Sequence, residues 1–235
     1  MLKIIIVVLA TLCMSVLVAK NSLSSAFENM SKEELETVAS RYKGISGVLC
    51  FTFKAIKSYT FYQETEEIRV LKDAIIEELG RCKNKRDVDW MGYIFASTLI
   101  EELSEEIIGR EIETEAGPTE GIYGYYSYKE DLIFINTYHV YDAILQKGSA
   151  YKYYNLLNTV CHELRHVWQH DNKWKTDVKY VSSKEDRKAY RRHPREKDAR
   201  KYALLKVFFM SSKRKEQLLR KCYLAIAKWN NVFNR

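Results

Sequence analysis

Thr159-Val160-Cys161-His162-Glu163-Leu164-Arg165-His166-Val167-Trp168-Gln169 carries two signals at once, an apolar helical stripe and a metal-ligand spacing. On an α-helix, positions i and i+4 share a face, so His162 and His166 present two imidazoles to one cation with Glu163 beside them. That is the HExxH arrangement, in which a zinc ion lowers the pKa of a bound water to about 7 and the neighbouring carboxylate takes its proton. From Leu157 to His170 the helical period gathers Leu157, Val160, Cys161, Leu164, Val167 and Trp168 on one side. His162, His166, Gln169 and His170 fall on the other. The expectation is a helix packed on a core by one face, flooring a cleft with the face opposite.

A tetrahedral catalytic site takes three protein ligands and leaves the fourth position to water. Gln169 and Asn172 stand where the metzincin spacing requires Gly and His, which excludes that subclass. His170 lies about 12 Å along the helix axis from His162 at about 1.5 Å per residue, too far to close on the same ion. Glu196 is the better third candidate. Pro194, one of two prolines in the chain, suits the first position of a helix running through Ala199, Ala203, Leu204 and Phe208. Glu196 then sits in the first turn, where it equally suits the helix dipole. Glu185, Asp186, Asp198 and His193 are the competitors.

The HExxH stretch, followed by Pro194-x-Glu196-x-x-Ala199-x-x-Tyr202-Ala203, resembles the gluzincin metallopeptidases. The tail is similar to that of ImmA/IrrE-type peptidases, and the likeness covers roughly residues 110 to 210. The resemblance implies a zincin-like α+β fold, zinc held by His162, His166 and Glu196, and Glu163 as general base. Tyr180, Tyr190 and Tyr202 are candidates for stabilising the oxyanion.

The chain upstream fits a sheet-then-helix order. Gly121 to Asn136 holds two aromatic and β-branched runs separated by Lys129-Glu130-Asp131, a hairpin signal, and Ile112 to Glu115 offers a further strand. In a zincin layout an edge strand pairs with an extended peptide substrate. Six tyrosines lie between Tyr123 and Tyr141; they suit half-buried strands better than a stacking platform for ligand.

Met1-Leu2-Lys3 precedes sixteen uncharged residues, Ile4 to Ala19. That run falls between a signal-peptide core of about 7–15 residues and a spanning helix of about 20. Residues 1–26 are therefore expected to be a cleaved signal or an N-terminal membrane anchor, placing the rest outside the cytoplasm; Cys13 makes no lipobox, since Leu12 precedes it. Loss of residues 1–26 would take Lys3 and Lys20 with it, lowering the net charge from +7 to +5. Cys50, Cys82, Cys161 and Cys222 would remain, widely spaced and without a CxxC pair, a weak disulfide framework.

Residues 27–108 read as a mostly helical region. Ser31 with Glu34 forms a capping box, and helical spacing recurs over Thr65–Leu79 and Trp90–Ile108; Gly44–Tyr62 is ambiguous. Residues 109–235 form the expected catalytic domain, closed by an amphipathic helix from Lys213 to Phe233. From Lys184 to Lys201 nine bases face four acids. This basic stretch suits a solvated face, with an anionic envelope polymer or lipid as the partner it would bind. No nucleic-acid signature, phosphate loop or nucleophilic Ser or Cys motif is present. The expected activity is zinc-dependent hydrolysis of a peptide or protein. The rivals are a non-catalytic envelope-binding protein and a zinc hydrolase of a non-peptide amide.

Overall fold

The computed structural model describes residues 64–175, Val178 and residues 186–233, apart from the Arg187 side chain. The expectations for residues 1–26, the Ser31–Glu34 box, Gly44–Tyr62 and Cys50 lie outside the described residues, as do Tyr180, Lys184 and Glu185. The architecture is α+β, with seven helices and one three-stranded sheet among the described residues.

Thr65 starts α1, Glu66–Gly80, its hydroxyl accepting from Ile68 N at 3.2 Å. Ile68, Leu71 and Ile75 make its buried stripe. Helix α2, Lys85–Ile107, begins five residues ahead of the apolar repeat that announces it at Trp90. The Asn84 side chain caps it by accepting from Asp87 N at 3.0 Å, within a polar stretch that has no hydrophobic period.

The sheet comprises β1, Glu113–Gly117, β2, Gly124–Ser127, and β3, Leu132–Asn136, in the order β1-β3-β2. The anticipated hairpin is β2 and β3, antiparallel, with Tyr125 opposite Phe134 and Tyr126 opposite Ile133. Asp131, at φ 52°, turns the chain into β3. The anticipated third strand is β1, which pairs parallel to β3. Leu132, Ile133 and Ile135 are buried, as a central strand requires, and β2 is an edge.

Helix α3, Thr137–Leu145, follows β3 without a loop. Asn136 makes this possible: its Oδ1 accepts from Tyr138 N at 3.0 Å, and its Nδ2 donates to Thr119 O at 2.6 Å and Ile122 O at 2.7 Å. One side chain thus ends a strand, caps a helix and ties down the loop before β2.

The HExxH residues lie on α4, Tyr151–Asp171. Its apolar side is buried as expected, with Leu157, Val160, Cys161, Leu164 and Val167 in the core. Trp168 is only half-buried, beneath the Arg165 guanidinium at 3.8 Å from its ring centre. The opposite side is not an open floor: Glu163, Arg165, His166 and Gln169 are buried as well. Helix α6, Pro194–Phe209, is hydrogen-bonded to this side and follows the short α5, Arg187–Arg192. Helix α7, Ser212–Phe233, closes the core through Leu218, Leu219, Cys222 and Ile226, and its Lys215 O accepts from the Tyr153 hydroxyl at 2.7 Å.

Glu64–Phe208 with Lys213–Arg235 makes one compact unit, so α1 and α2 share a body with the sheet and α4. Cys82, Cys161 and Cys222 are free thiols, and burial pushes the Cys161 thiol up to about 12. Among the described residues, no helix is long and apolar enough to cross a membrane.

Candidate metal centre

Helix α4 places His162 and His166 one turn apart with their Nε2 atoms 3.1 Å from each other. Pro194 starts α6 while the preceding His193 accepts from Arg195 N through Nδ1 at 3.3 Å, which sets Glu196 in the first turn and points it at the two imidazoles. Glu196 Oε2 lies 3.4 Å from His162 Nε2, and Oε1 lies 3.1 Å from His166 Nε2. The three candidate ligand atoms all fall within 4.8 Å of one another, the only such group of His, Cys, Asp or Glu found among the described residues.

The charges in this cluster are strongly coupled. Burial disfavours a charged His166, but the Glu196 hydrogen bond and the charges of Glu163 and Glu196 outweigh it and raise its pKa. Burial also opposes ionisation of Glu196, yet hydrogen bonds from His162 and His166 hold its carboxyl well below the usual carboxylate range.

The remaining polar residues of the motif hold α6 against α4. Gln169 Nε2 donates to Arg195 O at 3.0 Å and to Asp198 Oδ2 at 2.9 Å, which turns its Oε1 towards His166 Nδ1 at 3.0 Å. His166 must therefore carry its proton on Nδ1 when neutral, leaving the Nε2 lone pair facing the centre. Arg165 Nε donates to the same Asp198 Oδ2 at 2.7 Å. A two-imidazole, one-carboxylate set with a fixed tautomer fits tetrahedral zinc with one position left over. Glu163 is nearly fully buried beside the cluster and makes no hydrogen bond to a described residue.

The competitors have other work. Asp186 caps α5, accepting from Lys188 N at 2.8 Å and Ala189 N at 3.0 Å, and Asp198 is taken by Arg165 and Gln169. His170 bonds through Nδ1 to the Tyr126 hydroxyl at 2.7 Å, which also donates to Asp131 at 2.7 Å, tying the end of α4 to the β2–β3 turn. Tyr202 packs against the Arg165 guanidinium at 4.8 Å, and Tyr190 stays on α5. A further tyrosine, Tyr128, lies beside the residue that precedes Glu196, its ring centre 5.5 Å from the charged carbon of Arg195. Burial raises the Tyr128 pKa; the Arg195 charge and a hydrogen bond with Arg195 oppose this, and the Glu196 and Glu163 charges add to it. Tyr128 lies in the turn just after β2, and its ring packs edge-on against Tyr126 and His170.

Comparison of the chain with protein-family models, with curated proteins and with solved structures gives no match.

Proposed function

We propose that the chain is a zinc-dependent peptidase of the gluzincin kind with a zincin-like fold. The observation that carries this reading is the convergence of His162, His166 and Glu196 within 4.8 Å, with Glu163 next to them on α4. The site would hold zinc through the two Nε2 atoms and the Glu196 carboxylate, and zinc so held supplies an acidified water and polarises a carbonyl. Glu163 takes the proton of the attacking water and returns it to the leaving nitrogen as the C–N bond breaks. Gln169 keeps His166 in the tautomer the site needs. The edge of β2, with Gly124 and Tyr126 turned to α4, is where an extended peptide would add as a fourth strand.

On this reading the apolar run of residues 4–19 exports or anchors the chain, and its catalytic part works outside the cytoplasm. Lys188, Arg191, Arg192, Lys197 and Lys201 are exposed and suit an anionic polymer or lipid headgroup nearby. The test is Glu163→Gln, assayed on a denatured protein substrate by fragment mass spectrometry. It is expected to keep one zinc and to lower hydrolysis by about 10²–10⁴-fold. Undiminished hydrolysis in that variant would remove Glu163 from the mechanism.

A further inference from the structure

Arg195 is 8 % exposed, yet no carboxylate among the described residues lies within ion-pair distance of it. A buried guanidinium is rarely left this way, because removing its charge from water is costly unless a counter-charge is found. Its Nε donates to Trp174 O at 3.2 Å, and its charged carbon stands 5.5 Å from the centre of the Tyr128 ring. A ring face offsets part of the desolvation and a carbonyl satisfies one donor, but neither supplies a negative charge, and the other neighbour of the guanidinium is the neutral Tyr128 hydroxyl.

Beside it the Tyr128 hydroxyl is buried and has no hydrogen bond of good geometry. The Tyr128 ring is fixed from two sides, edge-on to His170 at 5.5 Å and to Tyr126 at 4.8 Å. The place is adjacent to the candidate metal centre: Arg195 precedes Glu196, its carbonyl is held by the Gln169 that orients His166, and Tyr128 senses the charges of both Glu163 and Glu196. The positive charge on Arg195 is permanent. A group that is anionic only transiently would leave it uncompensated for nearly all of the protein's lifetime. A ligand with a standing negative charge compensates it on binding, and a planar guanidinium fits a carboxylate with two parallel hydrogen bonds.

We infer that Arg195 and Tyr128 form a subsite for a carboxylate carried by the substrate next to the bond that is cut. The inference rests on the peptidase reading and narrows its substrate to peptides with a free C-terminus or an acidic side chain at that position. Arg195 donates to the carboxylate through its terminal nitrogens and Tyr128 donates through its hydroxyl. No covalent step is involved.

The test is binding of four peptides to the full chain carrying Glu163→Gln, metal-free and zinc-loaded, followed by isothermal titration calorimetry. N-acetyl-trialanine with a free carboxylate is compared with its amide. N-acetyl-Ala-Glu-Ala amide is compared with N-acetyl-Ala-Gln-Ala amide. One acid is expected to bind at least about tenfold more tightly than its neutral partner in both metal states, as a charge-assisted hydrogen-bond pair implies. The first pair reports a C-terminal carboxylate and the second a side-chain carboxylate. Addition of Arg195→Gln should abolish the preference while zinc content stays at the level of the parent, and Tyr128→Phe should reduce it. Equal affinities within both pairs would overturn the inference, as would a preference seen only with zinc and retained in Arg195→Gln, since the carboxylate would then sit on the metal. A chain that takes up no zinc but keeps the preference sinks the peptidase reading and leaves the subsite standing.

Discussion

Glu196 Oε1 stands 3.1 Å from His166 Nε2 across thirty positions of chain, brought there by a helix start that Pro194 and His193 define together. This contact joins α4 to α6 at the candidate metal centre, and the residues around it hold it in register. Arg165 and Gln169 grip the one Asp198 carboxylate, and Gln169 touches both the His166 ring and the backbone of the residue before Glu196.

Gln169→Ala removes the Nδ1 partner of His166 and two bonds to α6 at once. Loss of such an outer partner is expected to weaken zinc binding by about 10–100-fold. Competition against a chromophoric chelator measures it, and an affinity within twofold of wild type would show that the tautomer is set by something else.

Gly124 lets β2 pass close to α4. A Cβ there would meet Phe134 O at 2.9 Å, Ile135 Cδ1 at 3.0 Å and Thr159 Cγ2 at 3.1 Å. The carbonyl belongs to the central strand and cannot yield without moving the sheet. Gly124→Ala is expected to cost about 1–3 kcal/mol, read from the shift in the denaturant midpoint at constant slope.

His139 predicts a pH dependence of stability. Burial holds its pKa down at about 4, against about 6.5 in an unfolded chain, with the Asn155 backbone and Asp142 opposing and Lys152 assisting. The native state therefore keeps the ring neutral, its Nε2 beside Thr159 Oγ1 at 3.1 Å. Between about pH 6.5 and 4 the unfolded chain binds the extra proton, so stability present above the upper value is lost as pH falls through this window. The loss is on the order of 3 kcal/mol, and His139→Gln should flatten the fall in melting temperature over the same range. Parallel curves for the two proteins would deny the burial cost.

Local patterns carried much of the fold. Period-two aromatics and a polar break marked β2 and β3, and helical apolar spacing marked α1, α2, α4 and α7. What lay hidden was set by single polar side chains acting at a boundary. Asn136 starts α3 where the pattern reads only as the end of a strand, and Asn84 starts α2 before any apolar residue signals it. At the site, His162, Glu163 and His166 were legible from spacing, and Glu196 from the proline that precedes it. The burial of Arg165 and Gln169 was not, because amphipathicity assigns charged and amide residues to water unless their partner is known. That partner, Asp198, lies on another helix, and spacing along one helix holds no information about it. Arg195 reads as one more base in a charged stretch until its burial is seen.

If His162, His166 and Glu196 bind one zinc ion as proposed, metal content by mass spectrometry of the full chain after dialysis against limiting zinc will read it out. The wild-type chain should carry about one zinc, and Glu196→Ala well below one, as expected for a three-ligand site that loses a ligand. A wild-type chain that retains no zinc, or a Glu196→Ala chain that retains it with unchanged affinity, would contradict the proposal.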